Sequence, residues 1–322
     1  MTGSDESAVV FLPTIFMSLS YVLWAVLMLW LSGLLVRRRP SWQVWLMPGV
    51  LVVAGFLVRI AAMQGGPGDL RINIADAVTT RIALGGWGSA PVAFFRMVGW
   101  FVPLSGVSIM LVNALLAALV PALVYLLVLE LRCSRVAALA SAVLTVIYPV
   151  LMVFARVINR QPTYLWLSFL ALYFLARFLR RQEWPDLVPV AIAAILAAWS
   201  RPEGAVILVP LMVLALFQAR TMKLRVVLVG AGGILCIGAW LYVSLPVFGG
   251  LYDSSASIDW FNAIRIWPRV LLFDPDFTPL AQTLVWIAGL VWGFRYRPRL
   301  AATAVLTVLL LEIGRASCRE RV

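Results

Sequence analysis

VSIMLVNALLAALVPALVYLLVLEL, residues 107–131, holds no charged side chain before Glu130 and runs straight into the basic turn RCSR. About 20 consecutive apolar residues suffice for a helix to cross the ~30 Å hydrocarbon layer of a bilayer. The stretch therefore reads as a membrane-spanning helix. Similar apolar runs occupy residues 8–36, 42–63, 136–154, 163–176, 187–199, 205–217, 226–247, 280–294 and 300–311. The pair 187–199 and 205–217 is short enough to be read either as two tight spans or as a re-entrant pair joined at residues 200–204. Together these runs predict an all-α polytopic membrane protein of about ten transmembrane helices.

Composition supports that class. The 322 residues are 63% hydrophobic and 12% charged, whereas water-soluble domains run at roughly 45–50% and 25%. A soluble protein of this make-up would expose large apolar patches and aggregate. A cytosolic enzyme, a disordered chain and a disulfide scaffold are all excluded. The first apolar run follows Asp5 and Glu6 and precedes its basic cluster, so it reads as a span and not as a cleaved leader.

The net charge of +12 has a topological explanation. Alternating crossings put five basic loops on one side: residues 37–39, 132–135, 177–181, 219–225 and 295–299. They carry fourteen of the Arg and Lys residues but only three acids, Glu130, Glu183 and Asp186. Basic residues accumulate in short cytoplasmic loops, so this side is read as cytoplasmic and the clusters as markers of topology, with no nucleic-acid partner implied.

The other side carries two long polar loops, 64–106 and 248–279. In the first, Ile74, Val78 and Ile82 fall on one helical face while Asp69, Asn73, Asp76 and Thr80 line another. Further on, PVAFFRMVGWFVP (91–103) mixes Phe94, Phe95, Trp100 and Phe101 with Arg96. Both stretches are expected to form amphipathic interfacial helices on the outer leaflet. The end of the chain, EIGRASCRERV (312–322), breaks abruptly from the apolar run before it and resembles the in-frame translation of a sequencing-library adapter. The membrane module is accordingly read as residues 1–311.

The chemistry is bounded by what is missing. With no His, imidazole acid–base catalysis, Ser-His-Asp triads and His-ligated metals are excluded. The three Cys (Cys133, Cys236, Cys318) are too scattered to point to a disulfide or a zinc site. No GxGxxG or GxxxxGK phosphate loop occurs, so any group transfer would draw on an activated donor other than ATP. The Asp274–Pro275–Asp276 triplet is like a metal-binding DxD motif but also has the make-up of a turn.

Carboxylates and arginines remain. Asp69, in PGDLRINIADA, could take a proton from an attacking hydroxyl as a general base, could cap the helix that follows it, or could do both. Asp76 and Asn73 share its helical face. On the same side lie Arg156 and Arg160 in FARVINRQP, and Arg201 with Glu203 in AWSRPEG. Arginines suit bidentate phosphate recognition; they could equally reach lipid headgroups or, for Arg201, pair with Glu203.

Several of these features, in order, resemble the GT-C-fold membrane glycosyltransferases of the protein O-mannosyltransferase-like and rhizobial lipopolysaccharide galacturonosyltransferase-like branch. They are an Asp-containing first outer loop ending in Gly-Gly (Asp69 to Gly86) and the proline-led SAPVAFF. LRCSRVAALASAVL, running to Tyr148-Pro149, follows, then the outer Arg156 and finally WSRPEG. The resemblance covers residues 69–217, with 107–217 as its best-matching part. It implies an integral membrane transferase that takes a sugar from a polyprenyl-phosphate-linked donor and works at the extracytoplasmic face of the inner membrane. Lipid, glycan or protein acceptors are all consistent with it, and a divalent metal is left open. By the resemblance Asp69 corresponds to the family's first-loop acid, and Arg156, Arg160 and Arg201 would hold the donor phosphate. Leu70 and Gln161 stand where many relatives carry further acids, which leaves a non-catalytic assembly subunit as one alternative. A transporter or lipid flippase is another, although no inverted repeat is visible and the charges lie almost wholly at span ends.

Overall fold

A computed structural model of the chain describes residues 4–38, 42–62, 89–148, 161–200 and 223–249. These form eight helices: α1 (Ser4–Arg38), α2 (Trp42–Ala62), α3 (Ser89–Gly99), α4 (Gly106–Glu130), α5 (Arg135–Val146), α6 (Gln161–Arg181), α7 (Leu187–Ser200) and α8 (Lys223–Gly249). A short 3-10 turn, Trp184–Asp186, leads into α7. No strand occurs among the described residues. Within α1, α4 and α6, the segments Ile15–Leu34, Val107–Glu130 and Gln161–Arg181 are long and apolar enough to cross a bilayer. The chain is a helical membrane protein.

Helix α4, which contains the apolar stretch 107–130, is the spine. Ser105 and Ser108 start it with a reciprocal cap: the Ser108 N–H donates to Ser105 Oγ (3.1 Å) and the Ser105 N–H donates to Ser108 Oγ (2.7 Å). Such a box satisfies two of the donors that a helix start leaves orphaned. From there α4 packs against α2, α5 and α6. Its Leu116, Val120, Leu123 and Val124 belong to the core shared with Leu167, Leu170 and Phe174 of α6. Outward-facing residues such as Val26, Leu29, Leu46, Val53 and Leu57 stay exposed, the surface expected of helices that meet lipid.

Particular contacts fix the helix directions. Leu51 of α2 clusters with Tyr125 of α4, while Gly55, one turn further along α2, lies against Ala118; the two helices are antiparallel. Glu130 closes α4 against Arg180 of α6 at 2.9 Å, so those two run parallel. In α1, Phe16 meets Trp199 edge-on (5.4 Å), Trp24 stacks on Trp166 (5.7 Å) and Trp30 meets Trp184 (6.4 Å). The bundle thus has a basic end, where α1, α4 and α6 finish and α2, α5 and α7 begin. At its far end α2, α5 and α7 finish and α4 and α6 begin.

Three arginines at the basic end do more than mark topology. Arg177 grips Asp186 across the α6–α7 turn through Nε to Oδ2 (3.0 Å) and Nη2 to Oδ1 (2.8 Å), with both side chains buried. Glu130 draws Arg180 to 2.9 Å and Arg181 to 3.9 Å.

Two boundaries differ from the sequence reading. Helix α5 ends at Val146, well inside the run expected to extend to residue 154. Helix α3 forms where an interfacial helix is expected, yet residues 89–93 and Phe95 are buried. Its start is pinned to α1: Trp24 Nε1–H donates to Ala90 O (2.9 Å) and Ser20 Oγ–H donates to Ser89 Oγ (3.0 Å). The aromatic residues that face outward are Trp100 and Phe101, just past the helix end.

Candidate functional site

The far end of the bundle is where the sequence-derived site residues are tethered. Ala62 and Ser89 bracket residues 63–88, which contain Asp69, Asn73 and Asp76. Tyr148 and Gln161 bracket residues 149–160, which contain Arg156 and Arg160. Ser200 immediately precedes Arg201 and Glu203. All seven residues lie outside the described residues, as do the Asp274–Asp276 triplet and the segment 312–322. The described anchors (the ends of α2, α5 and α7 and the starts of α3 and α6) stand at one end of the bundle, opposite the basic turns.

The end of α7 is held by described contacts. Trp199, one residue before Ser200, is buried with its ring edge-on to Phe16. Ser200 is buried and returns its hydroxyl to Leu196 O at 2.7 Å. Thr163, in the first turn of α6, is fully buried, and its Oγ1 has no hydrogen-bond partner among the described residues.

One charged residue at this end escaped the sequence reading. Arg59 lies in the last turn of α2 and has no solvent exposure. Its Nη1 donates to Gly55 O at 2.7 Å, while Nε and Nη2 are buried without a hydrogen-bond partner among the described residues. Gly55 makes room for it: a β-carbon there would stand 3.0 Å from Arg59 Nη1 and 3.5 Å from the Ala118 backbone. On the facing helix α4, five residues before Ala118, Asn113 is also fully buried. The signal was available, because Arg59 is the sole charged residue within Trp42–Ala62, and an ionisable residue inside a membrane helix marks a functional position by default.

Among the described residues the chain is a helical membrane bundle with a buried guanidinium near one end. The family comparison narrows that class: residues 90–242 match the model of the dolichyl-phosphate-mannose-protein mannosyltransferase family. That match spans α3 to α8, a little under half the chain, and supports a GT-C glycosyltransferase-like family. It takes in Arg156, Arg160, Arg201 and Glu203, while Asp69, Asn73 and Asp76 precede it. No curated protein and no solved structure matches the chain.

Proposed function

We propose that this protein transfers a sugar from a polyprenyl-phosphate-linked donor to a lipid, glycan or protein acceptor on the extracytoplasmic face of the membrane. The observation that carries the reading is the family match across α3 to α8, the helices from whose far ends Arg156, Arg160 and Arg201 are reached. The positive-inside bias assigns the basic end to the cytoplasm and so the far end to the outside. A membrane enzyme suits such a donor because the isoprenoid tail stays in the bilayer while only its phosphate and sugar enter the interface.

In the reaction we infer, Asp69 accepts the proton of the acceptor hydroxyl. The acceptor oxygen bonds to the anomeric carbon as the bond from that carbon to the phosphate oxygen breaks, and the electron pair leaves with the phosphate. Arg156, Arg160 and Arg201 offset the charge that builds on this leaving group, an effect strongest where water is excluded. Asn73, Asp76 and Glu203 supply polar contacts for the acceptor or the loop face. A general base of this kind contributes roughly 10²–10⁴-fold in rate. Asp69→Asn is therefore expected to abolish measurable transfer of labelled sugar from a polyprenyl-phosphate donor in proteoliposomes while the protein still expresses and folds. An Asn variant that transfers at the wild-type rate removes Asp69 from the mechanism. The buried charge of Arg59 is the observation that favours the second reading, a transporter or lipid flippase. Ion- or proton-driven uptake in the same proteoliposomes, without transfer, would establish it instead.

A further inference from the structure

Arginine is rarely sealed inside a membrane bundle with two of its nitrogens idle. A buried guanidinium that lacks an anionic partner forfeits its hydration without recovering it from hydrogen bonds. Arg59 is in that position: no exposure, one bond to its own helix, and Nε and Nη2 unpaired among the described residues. The contrast with Arg177, equally deep but held by both oxygens of Asp186, shows that this fold pairs a buried arginine where a carboxylate is within reach. At Arg59 the fold has instead removed a side chain, using Gly55 to admit the guanidinium.

We propose that Arg59 is an anion-binding residue for the phosphate ester of the lipid-linked donor, which supplies the missing partner when it binds. The inference rests on the glycosyltransferase reading and deepens it. Nε and Nη2 form one edge of a planar fork, the geometry that takes two phosphate oxygens in parallel. Three residues from the end of α2, the flexible stem can carry that fork from its resting bond with Gly55 O to the interface, as long basic side chains do at membrane surfaces. A bound phosphate would then lie at the junction of bilayer and outer surface, where the headgroup of an isoprenoid phosphate lies anyway. The bond to Gly55 O alone, a purely structural role, would stabilise the protein without discriminating among ligands.

The test uses the purified full chain in phosphatidylcholine nanodiscs, with farnesyl phosphate as the probe and farnesol, inorganic phosphate and phosphatidylglycerol as comparisons. Farnesyl phosphate should bind wild type, and Arg59→Met should weaken it at least about tenfold, the usual consequence of removing a charge-assisted hydrogen-bond pair. Farnesol binding should not change. Arg59→Lys, which keeps the charge and loses the fork, should fall between; if the Met variant does not purify, the Lys variant decides by the same comparison. Farnesyl phosphate binding unchanged in the variant overturns the proposal, as does equal competition by inorganic phosphate or phosphatidylglycerol. Because binding is read without turnover, the two readings can fail separately. Sugar transfer by Arg59→Met with wild-type kinetics sinks this proposal alone. Selective phosphate binding in a wild type that transfers no sugar sinks the enzyme and keeps the site.

Discussion

The two ends of the bundle handle charge in opposite ways. At the basic end every acid with described ion pairs is spoken for: Asp186 by Arg177, and Glu130 by Arg180 and Arg181. The connections there are tight, with residues 131–134 joining α4 to α5 and residues 182–186 joining α6 to α7. At the far end a guanidinium is buried without an acid among the described residues, and the sequence between helices is longer and richer in carboxylates. Paired charge and short turns make a scaffold. Unpaired charge beside long polar segments is what the proposed donor site would need, and the difference between the ends is what the following variants probe.

The strongest way to break that comparison is to unpair the scaffold. Asp186→Asn would leave Arg177 buried with no counter-charge, its guanidinium still stacked against Phe174 at 5.3 Å. Removing one partner of a buried pair typically costs about 3–5 kcal/mol, so thermal unfolding in detergent should show a large fall in Tm. Replacing both partners by apolar residues (Arg177→Met with Asp186→Leu) should recover much of the loss, since no uncompensated charge then remains. A single variant as stable as wild type would mean that the basic end is not held by its ion pair.

Why the sequence yielded the helices but not the pairs follows from what periodicity can encode. Apolar length alone located α1, α2, α4, α6, α7 and α8 to within a few residues, because lipid demands unbroken apolar runs. Charge bias sorted the two ends, because it acts on counts and not on contacts. Arg177 and Asp186, however, are nine residues apart across a turn, and no helical spacing brings such a pair together; only the α6–α7 hairpin does. The inward face of α3 was hidden for a related reason. Phe95 and Trp100 are both aromatic, and composition does not say that the first is sealed against Val92, Ile109 and Met110 while the second projects outward. The candidate site was legible as a set of residue types in three segments, whereas the burial of Arg59 without a carboxylate among the described residues needed the coordinates.

A milder change sharpens the same contrast. Glu130→Gln removes the carboxylate that gathers Arg180 and Arg181, but those arginines are 38% and 31% exposed. Solvent-accessible pairs contribute only about 0–1 kcal/mol. The expected result is a slight fall in Tm, further reduced at high salt, and a sugar-transfer rate unaltered because the residue lies at the end opposite the proposed chemistry. A fall in transfer that exceeds the fall in stability would couple the two ends.

The smallest expected effect lies in the turn itself. Gln182, directly after α6, has a left-handed backbone (φ 56°), and its N–H closes the helix on Phe178 O at 2.7 Å. A side chain in this conformation carries roughly 1–2 kcal/mol of steric strain that glycine does not. Gln182 offsets part of that strain by donating Nε2–H to Leu179 O at 3.1 Å, a bond worth about 0.5–1.5 kcal/mol. Gln182→Gly gives up the bond and the strain together, so Tm should move by little in either direction. Gln182→Val keeps the strain, adds branching at the β-carbon and loses the bond, so it should destabilise by roughly 1–2 kcal/mol. A valine variant as stable as the glycine one would show that the α6–α7 turn is free to relax, and with it the premise that the basic end is a fixed scaffold.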